Sequence, residues 1–280
     1  MREINVSKIR EAVTELCLKA NFELRKDILK ALRSALSKET APRAKNLLKA
    51  LVENAVLAKK KCIAICQDTG FVSVYIELGS SVMLSGGDLT EAVNNGVEDA
   101  YRKGYLRKSV VGSPFIRKNT NTNTPSVIHV DIVEGERIKI TVSPKGFGSE
   151  NKSSIKMFRP TASWDQMKDF ILDVVKKSGP DACPPLILGI AIGGTFDHAA
   201  YLAKKALLRP IDKKNPKRHI SILEKEIFKS ANALKIGPMG LGGKTTVIGV
   251  NIEEFPTHIA GLPVAVSVSC HATRSAERTI

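Results

Sequence analysis

Residues 183–208 read CPPLILGIAIGGTFDHAAYLAKKALL, and this stretch decides the fold. Leu186 to Ile192 is an unbroken apolar run of strand length, the pattern of a strand buried on both faces. Gly193-Gly194 breaks the run, and the segment through Ala199 to Leu208 then reads as a helix. A buried strand feeding a helix places the chain in the α/β class. Outward from this unit, Trp164 to Lys177 and residues 216–234 have helical spacing, and Thr245 to Asn251 and Leu262 to Val268 read as strands. Upstream, Val127 to Val133 and Arg137 to Val142 alternate around Glu134-Gly135, which predicts a β-hairpin. Phe71 to Leu78 is rich in β-branched and aromatic residues and reads as a strand; Asp88 caps a helix running to about Lys103.

The N-terminal part, about 1–60, is helical by the same reasoning. Val6, Ile9, Val13, Leu16, Cys17 and Ala20 share one face, and Leu24, Ile28, Leu32 and Leu36 repeat the spacing. Thr40 ahead of Pro42 starts a third helix with an apolar face of Leu47, Leu48, Leu51, Val52, Ala55 and Val56. There is no internal repeat and no flexible linker. The expectation is therefore a single mixed α/β unit over 1–280, with a mixed sheet and an N-terminal helical segment.

Composition narrows the function. With 43% hydrophobic and 25% charged residues over 280 positions, the chain has the makings of a sizeable core and is not disordered. No apolar run reaches the roughly 18–20 residues of a bilayer span, and the first residues lack a signal peptide's continuous apolar core. Lys plus Arg is 43 against 28 for Asp plus Glu, a formal net charge of +15. That excess fits nucleic acid, an acidic partner or an anionic substrate. The basic residues are scattered, aromatics are only 5%, and no zinc-finger, KH or RNP motif is present, so nucleic acid is disfavoured. Thermophile-like surface charge is a further reading of the lysines.

Five cysteines do not make a disulfide scaffold in a chain of this size. Cys66, Cys183 and Cys270 have polar or turn-forming neighbours: CQDTG, DACPP and SCHATR. They are 117 and 87 residues apart, too far for a local zinc ribbon. Three loops could instead bring one thiolate each to a [4Fe–4S] cube, leaving one iron without a protein ligand and able to act as a Lewis acid. The plainer reading is that each is a small core hydrophobe. That reading is preferred for Cys17, on the first helix's apolar face, and for Cys62, inside an apolar run. Residues 108–126 form a polar loop dense in Asn, Thr and Pro, long enough to suggest a role. GPMGLGGKTT resembles a Walker A loop but has Pro238 at the required first glycine and leads into a strand, so it reads as a tight backbone turn.

Taken together, CQDTG, NTNTNTP, PKGFGSENK, GIAIGGTFD, GPMGLGGKTT and SCHATR resemble, in order, the α subunit of the class I iron–sulfur hydro-lyases: class I fumarate hydratase, L(+)-tartrate dehydratase and relatives. The resemblance runs from about residue 10 to the C-terminus. It implies that Cys66, Cys183 and Cys270 hold a [4Fe–4S] cluster, with Cys17 and Cys62 outside the set. It implies that Gln67 and Asp68 contact substrate, Asp68 as proton carrier, and that Arg107 grips a substrate carboxylate through its guanidinium fork. His258 would approach the substrate from a neighbouring protomer. Gly148 lies in a loop whose backbone approaches substrate, although Phe147 departs from the all-glycine run expected there. Taken alone, Asp68 reads as a turn cap, Arg107 as a surface charge and His258 as a structural residue. The resemblance further implies reversible hydration of fumarate to L-malate. A tartrate or other 2-hydroxydicarboxylate dehydratase is the alternative within the family; a non-catalytic cluster-binding module and an RNA-binding protein are alternatives outside it. The matched motifs end at Arg274, so the expected partner is a separate β subunit in an α2β2 complex. The expected location is the cytoplasm, without membrane or nucleic acid.

Overall fold

A computed structural model describes residues 2–280. In chain order the elements are β1 (Arg2–Asn5), α1 (Val6–Phe22), α2 (Lys26–Lys38), α3 (Pro42–Lys61), β2 (Phe71–Gly79), β3 (Val82–Ser85), α4 (Leu89–Lys103), β4 (Val127–Val133), β5 (Ile138–Lys145) and α5 (Phe147–Glu150). There follow β6 (Ser154–Phe158), α6 (Trp164–Ser178), β7 (Leu186–Gly193), α7 (Phe196–Ala206), α8 (Arg218–Ala233), β8 (Val247–Phe255), β9 (Leu262–Ser269) and β10 (Ala276–Thr279). The fold is mixed α/β, as the sequence predicts. The chain divides into two compact units: 1–25, 55–147 and 274–280 form the first, 26–54 and 148–273 the second. Among the described residues no helix is long and apolar enough to cross a membrane.

The first unit is built on a four-stranded sheet in the order β10-β5-β2-β4, with a small parallel pair β1-β3 beside it. The expected hairpin of 127–142 does not form. β4 pairs parallel and β5 antiparallel with β2, which lies between them. Residues 72–76 of β2 are buried, and a buried strand needs ladder partners on both edges. The turn around Glu134-Gly135 therefore spans β2: Val133, Gly135 and Arg137 give their carbonyls to the N–H groups of Ser80, Ser81 and Gly79. α1 and α4 cover the sheet; Ile9, Val13, Leu16 and Cys17 of α1 meet Val93, Val97 and Tyr101 of α4 in its core.

The second unit has a four-stranded sheet in the order β6-β9-β7-β8. β7 alternates large and small residues. Leu186, Leu188 and Ile190 face a core shared with Ile171 and Val174 of α6 and Ile220 and Ile227 of α8. Ala191 packs against Ala199 and Ala203 of α7. A Cβ on Gly189 would stand 2.1 Å from the Ala203 carbonyl, so α7 lies close because β7 is glycine there. In α3 the buried residues are Ala44, Leu48, Leu51, Ala55 and Ala58; Val56, expected on that face, is 46% exposed.

Candidate functional site

The first unit carries the Cys66 loop. Residues 63–70 leave α3 and reach β2 without regular structure, and their shape is set through successive carbonyls. The Asp68 carbonyl accepts from Nη2 of Arg274 at 2.8 Å. The Tyr101 hydroxyl shares its proton between the carbonyls of Thr69 (2.7 Å) and Gly70 (3.0 Å). Nδ2 of Asn123 donates to the Gly70 carbonyl at 3.2 Å. All three anchors are buried, where such bonds are least exchangeable with water. They come from the C-terminal segment, α4 and the Asn/Thr-rich loop. Burial, together with the nearby Cys17 thiol, pushes the Tyr101 hydroxyl upward, so it stays a donor. The Asn123 Oδ1 in turn accepts the Ser109 N–H at 2.8 Å.

Asp68 is held in place. Its Oδ1 accepts the Gly70 N–H at 3.0 Å, the turn cap that its position before Thr69-Gly70 suggests. Its Oδ2 accepts the Phe147 N–H at 2.9 Å. Gly70 has φ +86°, and a Cβ there would meet the Lys145 backbone at 2.7 Å, so this turn requires glycine. The Thr69 hydroxyl donates to the Arg107 carbonyl at 2.7 Å, which ties Arg107 to the same loop. The side chains of Arg107 and Gln67 are exposed; Cys66 is half-buried, its thiol 3.9 Å from Oε1 of Gln67. Cys66, Gln67, Asp68 and Arg107 are thus gathered on one anchored loop system.

The second unit carries Cys183 and Cys270. Cys183 closes the 3-10 turn of Pro180–Ala182 in a left-handed conformation (φ 52°), three residues before β7. β9 runs antiparallel to β7 with Ser269 opposite Ile187, so Cys270 leaves β9 beside the start of β7. His271 fastens the two loops: its N–H and Nδ1 lie 3.5 and 3.0 Å from the Cys183 carbonyl. Thr273 holds the Cys270 carbonyl through its N–H (3.0 Å) and hydroxyl (2.8 Å). Two cysteines far apart in the chain therefore sit at one end of one sheet. Two further motifs line the Cys183 loop. Lys152, in PKGFGSENK, pairs with Asp181 at 2.8 Å, and Gly148 faces the Asp181 carbonyl. Met239, in GPMGLGGKTT, donates its N–H to the Pro184 carbonyl at 2.9 Å. The latter motif runs through residues of positive φ straight into β8, as a turn and not a P-loop.

His258 is at the other end of this sheet. β8 is parallel to β7 with Phe255 opposite Gly193, so the loop 256–261 emerges at the far end of β7. Eight strand residues separate the ends, about 23 Å. The loop is exposed; Nδ1 of His258 accepts the Ala260 N–H at 3.1 Å. Within one chain, then, His258 is not brought to Cys183 and Cys270. Phe196 (61% exposed), Phe255 (50%) and Ile259 (89%) stand at the same end.

All five cysteines are thiols and none is in a disulfide. Cys66, Cys183 and Cys270 reach solvent from loops, whereas Cys17 is wholly buried and its thiol is pushed up by that burial. Cys62, expected in the core, is exposed. Among the described residues no three His, Cys, Asp or Glu are grouped to hold a single metal ion. Loop thiols are donors of the kind an iron–sulfur cluster takes, each thiolate on a different iron. Sequence reasoning missed Arg274, Tyr101, Asn123 and His271 as anchors. Arg274 and His271 lay inside SCHATR and Asn123 inside NTNTNTP, but Tyr101 carried no local signal.

Fold and side chains together describe an α/β protein whose first unit gathers Cys66 with an amide, a carboxylate and a guanidinium on one loop system, and whose second unit joins the Cys183 and Cys270 loops. The chain belongs to the fumarate hydratase (Fumerase) family, whose profile matches residues 10–279, and so to a family of hydro-lyases. A Methanocaldococcus jannaschii protein provisionally named L(+)-tartrate dehydratase subunit alpha is 39% identical over 279 residues, covering 98% of each chain. L(+)-tartrate dehydratase alpha subunits of Escherichia coli and Shigella sonnei are each 29% identical over 272 residues, covering 96% of this chain and 89% of theirs.

Proposed function

We propose that the chain, 1–280 acting as one functional subunit, is the α subunit of a [4Fe–4S]-dependent hydro-lyase that hydrates fumarate reversibly to L-malate together with a β subunit. The observation that carries this reading is the pairing of the Cys183 and Cys270 loops at one sheet end, inside a chain whose third loop cysteine adjoins Gln67 and Asp68. Cys66, Cys183 and Cys270 would hold the cluster. When bound, it supplies an iron without a protein ligand, a Lewis acid that polarises the hydroxyl of the 2-hydroxy acid. Arg107 grips a substrate carboxylate by its planar fork, and Gln67 and the Gly148 backbone orient the remaining oxygens. Asp68 carries a proton. Each of its oxygens accepts one backbone N–H, which fixes the carboxylate's direction and leaves a lone pair on each for substrate. His258 serves the site of a second α chain, in keeping with its place at the opposite end of the sheet. Its apolar neighbours Phe196, Phe255 and Ile259 suit contact with another chain and support α2β2 assembly. A cluster with an iron free of protein ligands would be sensitive to oxidants, which suits a reducing compartment, the cytoplasm.

L(+)-tartrate dehydration is the second reading, favoured by the names of the relatives. The test is anaerobic co-production with a β-type partner, followed by a panel of fumarate, malate and tartrate and by iron quantification. We expect Cys66→Ser, Cys183→Ser and Cys270→Ser each to lose iron and activity, and Cys17→Ser to keep its iron. Turnover of L(+)-tartrate but not malate would establish the second reading. Normal iron content in any of the three variants would remove that cysteine from the ligand set.

A further inference from the structure

α3 ends in a way that singles out Cys62. The Ile63 N–H reaches the Ala58 carbonyl at 3.1 Å, and the Cys62 N–H reaches that of Lys59 at 3.4 Å. This is the Schellman closure, and Cys62 occupies its left-handed position at φ 51°. Glycine is usual there because a Cβ costs free energy in that conformation. The closure leaves the Cys62 thiol exposed at the end of α3. A thiol partner is close along the chain. Cys66 follows four residues later, half-buried, and the backbone between them is neither helix nor strand and bends at 65–67. A disulfide needs roughly 4.4–6.8 Å between Cα atoms, against about 13 Å for a fully extended span of this length, so joining the pair draws this irregular segment in. Lys60 and Lys61 are exposed beside Cys62 and draw anionic reagents to it.

We propose that Cys62 is a resolving thiol that joins Cys66 in a disulfide whenever Cys66 is not occupied by the cluster; this rests on the reading of Cys66 as a cluster ligand. The oxidant is a low-molecular-weight disulfide such as glutathione disulfide. The exposed Cys62 thiolate attacks one of its sulfurs, an S–S bond breaks, and one glutathione leaves as thiolate and takes up the proton that Cys62 released. Cys66 then attacks the Cys62 sulfur of the mixed disulfide, and the second glutathione leaves with the Cys66 proton. Two protein thiols are oxidised and one small disulfide is reduced to two thiols. The pairing shields the ligand thiol from adducts and irreversible oxidation, and a dithiol reductant returns it for cluster insertion.

The two cysteines lie in one tryptic peptide, Cys62 to Arg102, so the test is a mass measurement. Iron-stripped and iron-loaded full-length chains are incubated anaerobically with glutathione disulfide, denatured in N-ethylmaleimide and digested without reductant. The stripped chain should yield this peptide without maleimide and two hydrogens lighter than the dithiol. The loaded chain should yield it with one glutathione on Cys62 and one maleimide on Cys66. In Cys62→Ser the stripped chain should carry glutathione on Cys66, and in Cys66→Ser on Cys62. Iron reloading after dithiothreitol should match before and after the disulfide treatment. Two maleimides on the stripped, treated peptide would overturn the pairing. Equal disulfide in stripped and loaded chains would uphold the pairing and overturn Cys66 as a cluster ligand.

Discussion

Arg274, Tyr101 and Asn123 do for the Cys66 loop what a helix or strand would otherwise do: they occupy its carbonyls. The loop has no ladder of its own, so side chains close its hydrogen bonds. Tyr101→Phe keeps the ring in the core and removes only the donor to Thr69 and Gly70. Leaving the buried Thr69 carbonyl without that partner should cost about 1–2 kcal/mol, lowering the thermal midpoint by about 2–6 °C for a chain of this size. A midpoint equal to that of the unsubstituted chain would show that the hydroxyl does not hold the loop. Arg274 illustrates why part of this was hidden. It stands next to the Cys270 motif in the sequence, yet its guanidinium serves Asp68, 206 positions away.

At the scale of elements, α7 lies close against β7. Gly189→Ala puts a methyl group against the Ala203 carbonyl and must push the helix outward. We expect a loss of about 2–3 kcal/mol, read as a lower urea midpoint; an unchanged midpoint would mean that α7 has room to spare. The start of α3 offers a pH test. Burial opposes the charge on Glu39, but the N–H groups of Ala41, Lys244 and Thr40 outweigh it and hold its carboxyl below the ordinary range. Between the folded and unfolded values the unfolded chain binds more protons, so stability rises with pH. The contribution of Glu39 is full above the ordinary glutamate value of about 4.3 and disappears as pH falls through the lower folded value. Glu39→Gln should therefore differ from the unsubstituted chain at pH 7 and converge with it in acid. A gap that is the same at every pH would contradict the assignment.

For the whole molecule, the sheet of the second unit makes a claim about assembly. One end bears Cys183 and Cys270, the other His258, and a rigid strand keeps them apart. If both ends act in catalysis, each site borrows its histidine from another copy. His258→Ala and Cys270→Ser should each be inactive as single variants. Co-assembled in equal amounts with the β subunit, they should recover about a quarter of full activity in a two-fold dimer, since half the dimers then contain one intact site of two. No recovery in a confirmed mixed assembly would confine His258 to a structural role.

Long periodic patterns were legible in the sequence because they are local. The apolar faces of α1 and α2, the continuous run of β7 and the Asp88 cap, which accepts the Glu91 N–H at 2.8 Å, each depend on residues a few positions apart. The three loop cysteines were legible for the same reason, by their turn-forming neighbours. Strand pairing was not: β4 and β5 look like a hairpin because they are adjacent in sequence, while the strand that separates them comes from residues 71–79. The short strands β1, β3, β6 and β10 are too brief to show a period. Cys62 was misplaced because an apolar stretch does not reveal which side of it faces water. Which motifs meet, which carbonyls they serve and on which end of a sheet His258 falls were decided only by the tertiary structure. Ladder register and buried hydrogen bonds join residues that the chain itself keeps far apart.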